Sequence, residues 1–126
     1  MATTLSVDPR ANEGQVLSEA VSRLAGFWRL TNAEVARTLG ISAPSASRLR
    51  SGAYRLDRGA KPFELAQLLV RLFRGLDALM GSHDDAAIAW LRTANADLLG
   101  RPIDLIQTVQ GLVAVSDYVD AFRART

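Results

Sequence analysis

Thr31 to Gly52 read TNAEVARTLGISAPSASRLRSG, and the spacing within that run predicts two short helices joined by a tight turn. Thr31 and Glu34 form a T-x-x-E capping box, in which each side chain serves the other residue's backbone N–H at a helix start. Gly40 suits the left-handed position that ends a helix, and Ser42 is an N-cap for the next one. Pro44 falls in the first turn, where its missing N–H has no intrahelical acceptor. Ala36 is small enough to let the two helices cross. Val35, Leu39, Ile41, Ala46 and Leu49 supply the apolar side that holds them together. This is the pattern of a helix-turn-helix, whose second helix enters the major groove of DNA.

The remaining face of that second helix assigns roles. Pro44, Ser45 and Ser47 are short enough to approach base edges or nearby backbone, and Arg48 can address a guanine bidentately or a phosphate. Arg50, Tyr54, Arg55 and Arg58 are placed for phosphates. The charge distribution agrees. Residues 1–60 carry eight arginines against five acids, and residues 61–126 carry seven basic residues against eight acids. A local basic patch in a chain of net charge +2 points to a directed anionic partner, although charge alone equally suits a solvated arginine-rich face.

Working outward, the pattern is helical on both sides. Residues 1–13 are polar and aperiodic and read as a flexible arm. Gln15–Trp28 places Leu17, Ala20, Val21, Leu24, Phe27 and Trp28 at helical spacing. Residues 51–61 form a loop without a readable pattern. Pro62–Met80 carries two apolar stripes, Leu65, Leu69, Leu72, Leu76 and Leu79 beside Ala66, Val70, Phe73 and Met80. A narrow polar strip remains at Glu64, Gln67, Arg71 and Arg74. Such a helix is buried on more than one side, either as the central helix or within a dimer interface. Ser82 and Asp85 suggest an S-x-x-D cap for a helix through Leu91. Leu98–Pro102 reads as a turn, Ile103–Ile106 as a short helix, and Thr108–Phe122 as a last helix with Val109, Leu112, Val113, Val115, Val119 and Phe122 on its apolar side. No segment alternates with period two, so the expected fold class is all-α. The expected divisions are an arm (1–13), a helix-turn-helix unit (14–61) and a second helical unit (62–126).

Several chemistries find little support. There is no cysteine, hence no thiolate nucleophile, thiolate metal site or disulfide. The single histidine, His83, adjoins Asp84 and Asp85, but adjacent residues of a helix point in different directions, and a capping role accounts for the acids. No metal, cofactor or catalytic residue is expected. Trp28 and Trp90 read as core. Met1–Pro9 lacks the basic and apolar regions of a signal peptide, and Leu65–Met80 is interrupted by charges. A cytoplasmic protein that does not span a membrane is expected.

Three further segments carry a resemblance: AWLRTAN at 89–95, GRPIDLIQT at 100–108 and the GLVAV helix from Gly111. The first half resembles the Xre class of repressors. These segments resemble the toxin-binding domain of Xre/MbcA/ParS antitoxins, the partners of RES-domain toxins, and the likeness extends over residues 15–122. Many members of the family continue into a glycine-containing tail where this chain has Ala124-Arg125-Thr126. The resemblance implies a cytoplasmic bacterial antitoxin that dimerises, represses its own operon and blocks the active site of a RES toxin. Such toxins degrade NAD or transfer its ADP-ribose to a protein. Asp117, Tyr118, Asp120, Arg123 and Arg125 are the expected plug for that cleft. The main alternative is a stand-alone helix-turn-helix regulator whose second half only dimerises or senses a ligand. A neighbouring gene for a RES toxin separates the two readings. A small helical enzyme is a third reading, and the scarcity of catalytic groups speaks against it.

Overall fold

The computed structural model describes residues 9–125, with side chains from residue 12. Among these residues the chain forms seven helices: α1 (Pro9–Phe27), α2 (Asn32–Leu39), α3 (Ala43–Ser51), α4 (Lys61–Met80), α5 (Asp84–Arg92), α6 (Pro102–Leu105) and α7 (Val109–Arg125). The only bridge outside the helices pairs Asn95 with Gly100. The expected all-α class is what the protein has. Residues 9–13 of the expected arm open α1. Residues 1–8 of that arm lie outside the described residues.

The turn chemistry around α2 and α3 follows the sequence. The capping box is complete: the Glu34 N–H donates to Thr31 Oγ1 at 3.0 Å, and the Thr31 N–H donates to Glu34 Oε1 at 2.9 Å. Gly40 ends α2 at φ 70°, and Ser42 caps α3 by accepting from the Ser45 N–H at 3.1 Å. The second cap does not form. Ser82 sits at φ 63°, its hydroxyl donates to Asp77 Oδ2, and His83 occupies the N-cap of α5 without a side-chain bond. Gly81 already ends α4 in the left-handed region, and the chain needs Ser82 to leave that turn. Asp84 and Asp85 instead occupy the first turn of α5, where the helix dipole favours acids.

One core runs through the molecule, and α4 is its axis. Leu65, Ala66, Leu69, Leu72 and Leu76 are buried, while Glu64, Gln67, Arg71 and Arg74 are exposed. This helix packs against α1 and α2 on one side and α5 and α7 on the other, so its two apolar stripes serve both halves of the chain. Trp28 is buried and tilts against Phe73 with centroids 5.2 Å apart. The patternless loop at 51–61 buries Leu56 in the core. The Leu56 N–H donates to Ser18 Oγ at 2.9 Å, and the Ser18 hydroxyl donates to the Gly14 carbonyl at 2.6 Å. The backbones approach so closely that a Cβ on Gly14 would lie 2.2 Å from the Leu56 carbonyl oxygen.

Several apolar assignments change, Leu79 of the α4 stripe among them, which is exposed. Phe27 is half exposed, and on α7 the buried residues are Leu112, Val115, Ser116 and Val119, with Val109, Val113 and Phe122 exposed. A seventeen-residue helix with apolar residues on several sides does not reveal which side a neighbour covers.

Candidate functional site

Two separate surfaces gather the predicted residues. The first is the outer side of α3. Pro44, Ser47, Arg48 and Ser51 are exposed at i, i+3, i+4 and i+7 spacing, while Ala46 and Leu49 anchor the opposite side in the core. Small side chains along this stripe let the helix approach a groove closely. Ser45 is half-buried and joins a short relay: Ser42 Oγ donates to Ser45 Oγ at 2.9 Å, and Arg48 Nη2 donates to Ser45 Oγ at 3.4 Å. Arg48 has no acidic partner among the described residues, so its charge faces solvent.

Arg50 is not part of that stripe. Its Nη1 donates to the Leu30 carbonyl at 2.7 Å and to Asn32 Oδ1 at 3.2 Å, which fastens the end of α3 to the turn between α1 and α2. The bond to that carbonyl holds the Arg50 guanidinium against the preceding turn. Tyr54 is half-buried against the core. Arg55 is exposed and lies 3.5 Å from Gln15 Oε1. Arg58 pairs with Glu13 at 3.1 Å. Arg23, Arg50, Tyr54 and Arg55 line one shallow polar recess between α1 and the end of α3.

The second surface is on α7, and the structure splits the five residues expected there. Tyr118, Phe122 and Arg125 share one side: the Tyr118 and Phe122 rings are 5.0 Å apart, and Arg125 lies 5.7 Å over the Phe122 ring. Tyr118 also stacks on Trp90 of α5 at 6.4 Å and donates its hydroxyl to Asp97 Oδ2 at 2.8 Å. That carboxylate, accepting the phenolic proton, holds Tyr118 above the usual phenol range. Asp120 and Arg123 turn the other way. Asp120 pairs with Arg71 of α4, and Arg123 lines a groove with Arg71 and Arg74. Asp117 is exposed on α7.

Sequence reasoning missed most of the aromatic side. Leu76, Leu79, Met80, Trp90, Tyr118, Val119 and Phe122 line one apolar depression. Trp90 is only half-buried, so the core role expected for it is partial. Apart from Tyr118, these residues read in the sequence as apolar, and only the packing of α4, α5 and α7 shows which side stays open.

The two surfaces belong to one body. Arg92, at the end of α5, donates to Glu34 Oε2 at 2.9 Å through Nη1 and to Glu34 Oε1 at 2.8 Å through Nη2. Glu34 is the residue that completes the capping box of α2. The Arg92 guanidinium, more than the Thr31 bonds, holds the Glu34 carboxyl below the usual carboxylate range.

Among the described residues no group of three His, Cys, Asp or Glu could hold a metal, and no helix is long and apolar enough to cross a membrane. Two family models match the chain. An antitoxin Xre-like helix-turn-helix domain matches residues 9–71, and an antitoxin Xre/MbcA/ParS C-terminal toxin-binding domain matches residues 75–125. A search of curated proteins found no match.

Proposed function

The chain belongs to the Xre/MbcA/ParS antitoxins, and from that premise we propose that it silences a RES-domain toxin and represses its own operon. Antitoxins of this type are regulatory proteins that bind toxins, and they are not enzymes. The observation that carries the proposal is the pairing of two unfinished surfaces. The α3 stripe offers Arg48 without an acidic partner, and the depression beside α7 leaves Trp90, Tyr118 and Phe122 partly open. Each surface lies within the stretch that the corresponding domain model covers.

In this reading residues 14–61 read operator DNA. The α3 stripe enters the major groove, Arg48 addresses a base edge, and Tyr54 and Arg55 approach the phosphates. Arg50 serves this binding by fixing α3. Residues 62–126 bind the toxin and a second copy of the chain, since a two-fold dimer matches a two-fold operator. The toxin-facing surface is the Trp90–Tyr118–Phe122 side of α7 together with Asp117 and Arg125, while Arg123 lies on the other side, where Asp120 braces α7 against Arg71. Large aromatic residues next to charges are the composition of a binding hot spot. The toxin acts on NAD, the complex forms in the bacterial cytoplasm, and no cofactor takes part.

Removing residues 117–126 would also remove buried Val119 and the Arg71–Asp120 pair, so exposed substitutions are the cleaner test. The Phe122→Glu, Arg125→Glu variant should lose rescue of cells expressing the toxin while keeping its fold and its operator mobility shift. Full rescue by this variant would remove the aromatic side of α7 from the toxin interface.

A further inference from the structure

The strongest outlier in the second half lies outside α7. Leu99 is 90% exposed, more than any other large apolar residue described, and it adopts φ 62°. That left-handed conformation strains a side chain with a Cβ and costs a glycine nothing. Two other non-glycine residues share it, Arg29 and Ser82. Both are polar residues at the ends of helices, where water meets their side chains. Among the described residues Leu99 alone holds an apolar side chain in solvent and in a disfavoured conformation.

The segment that displays Leu99 is held firmly. Asn95 and Gly100 exchange two backbone bonds of 2.9 and 3.3 Å. Asn95 Oδ1 accepts the N–H groups of Asp97 and Leu98 at 3.0 and 3.1 Å. Leu98 is half-buried against the core, so the tip cannot roll to bury Leu99 in its place. Asp97 accepts from Tyr118, which ties the tip to the aromatic side of α7. Charged residues flank it in the chain: Asp97 on one side, and on the other Arg101, which pairs with Asp104 at 2.9 Å. An apolar knob on a rigid turn with a polar rim has the anatomy of an interface anchor. Strain held at one exposed residue by several converging bonds also points to use by a partner.

We propose that Leu99 is an anchor residue that inserts into an apolar pocket of the toxin. The proposal rests on the antitoxin reading and extends its interface from α7 to the 95–100 turn. The partner is the toxin because the turn lies within the matched toxin-binding domain and is joined by hydrogen bond to the aromatic surface assigned to that contact.

The test compares the unsubstituted chain with Leu99→Gly, Leu99→Asp and Leu99→Met, using a purified RES-domain toxin from the same genome. Titration calorimetry should show the Gly and Asp variants binding the toxin at least about tenfold more weakly, with Met within about threefold. The melting temperature of Leu99→Gly should stay level or rise by a few degrees as the strain is relieved, and operator affinity should not change. Toxin binding by Leu99→Asp within about twofold of the unsubstituted chain would overturn the proposal. So would a loss of affinity accompanied by a drop in melting temperature, which marks a structural residue. A change in the solution mass of the free chain would assign Leu99 to a contact between copies and also overturn it. If the unsubstituted chain binds no toxin, the antitoxin reading falls as well.

Discussion

At the scale of the residue, two arginines two positions apart meet different partners. Arg48 and Arg50 look equivalent in the sequence, both basic and both near the end of the recognition helix. Their side chains diverge because Arg50 finds the Leu30 carbonyl within reach, and no local pattern reveals a partner twenty residues away. Arg48→Ala should lower operator affinity by about tenfold or more, the effect of losing a bidentate base contact of roughly 1–3 kcal/mol, while leaving thermal stability unchanged. Arg50→Ala should instead destabilise the fold by about 1–2 kcal/mol, because the Leu30 carbonyl loses a charged donor. Operator mobility shifts and thermal melts on both variants check the pair. Equal melting behaviour of the two variants would show that Arg50 has no positioning role. The cap at Ser42 was legible from its position before α3, but the Ser42–Ser45–Arg48 relay was not.

At the scale of the element, the helices were legible where period, cap and breaker coincide. The Thr31–Glu34 box, Gly40 and Ser42 fixed α2 and α3 closely. Ser82 and Asp85 offered the same signal and misled, because capping also depends on where the preceding helix releases the chain. The doubly apolar α4 was readable as a buried helix, and packing decides that its two sides serve α1 and α7 within one chain. The crossing of α4 and α7 depends on Gly75, where a Cβ would lie 2.8 Å from a methyl carbon of buried Val119. Helix propensity favours Gly75→Ala by about 0.5–1 kcal/mol, but overpacking a tight core costs roughly 1–3 kcal/mol. A net loss of stability is therefore expected. Val119→Ala vacates the same space, so the double variant should be more stable than the sum of the single effects implies. Denaturant melts of the four proteins measure that coupling, and strict additivity would contradict the contact.

At the scale of the whole molecule, one ion pair joins the two halves at a sensitive place. Arg92 clamps the glutamate that starts α2, and the Glu34 side chain in this pair is only 14% exposed. Because folding lowers the Glu34 pKa, the pair stabilises the protein above the ordinary carboxylate range. That contribution disappears as pH falls through the folded-state value. Arg92→Ala should cost about 1–2 kcal/mol at neutral pH, and the variant's stability should fall less steeply on acidification. Parallel acid limbs for the two proteins would show that the clamp contributes nothing. The pair was invisible in the sequence, where its partners stand 58 positions apart. The same distance hides the open aromatic depression, whose walls come from α4, α5 and α7. Motifs named the two halves, and tertiary contacts show what each leaves exposed.

The claim that unites these scales is that one surface of the 75–125 region captures a toxin. The most direct measurement is co-expression of this chain with the neighbouring toxin, followed by purification through a tag on the toxin alone. The account predicts restored growth and a stable complex, and it predicts that Phe122→Glu, Arg125→Glu abolishes both without unfolding the chain. Growth arrest that this chain does not relieve, together with a toxin that elutes alone, would contradict it.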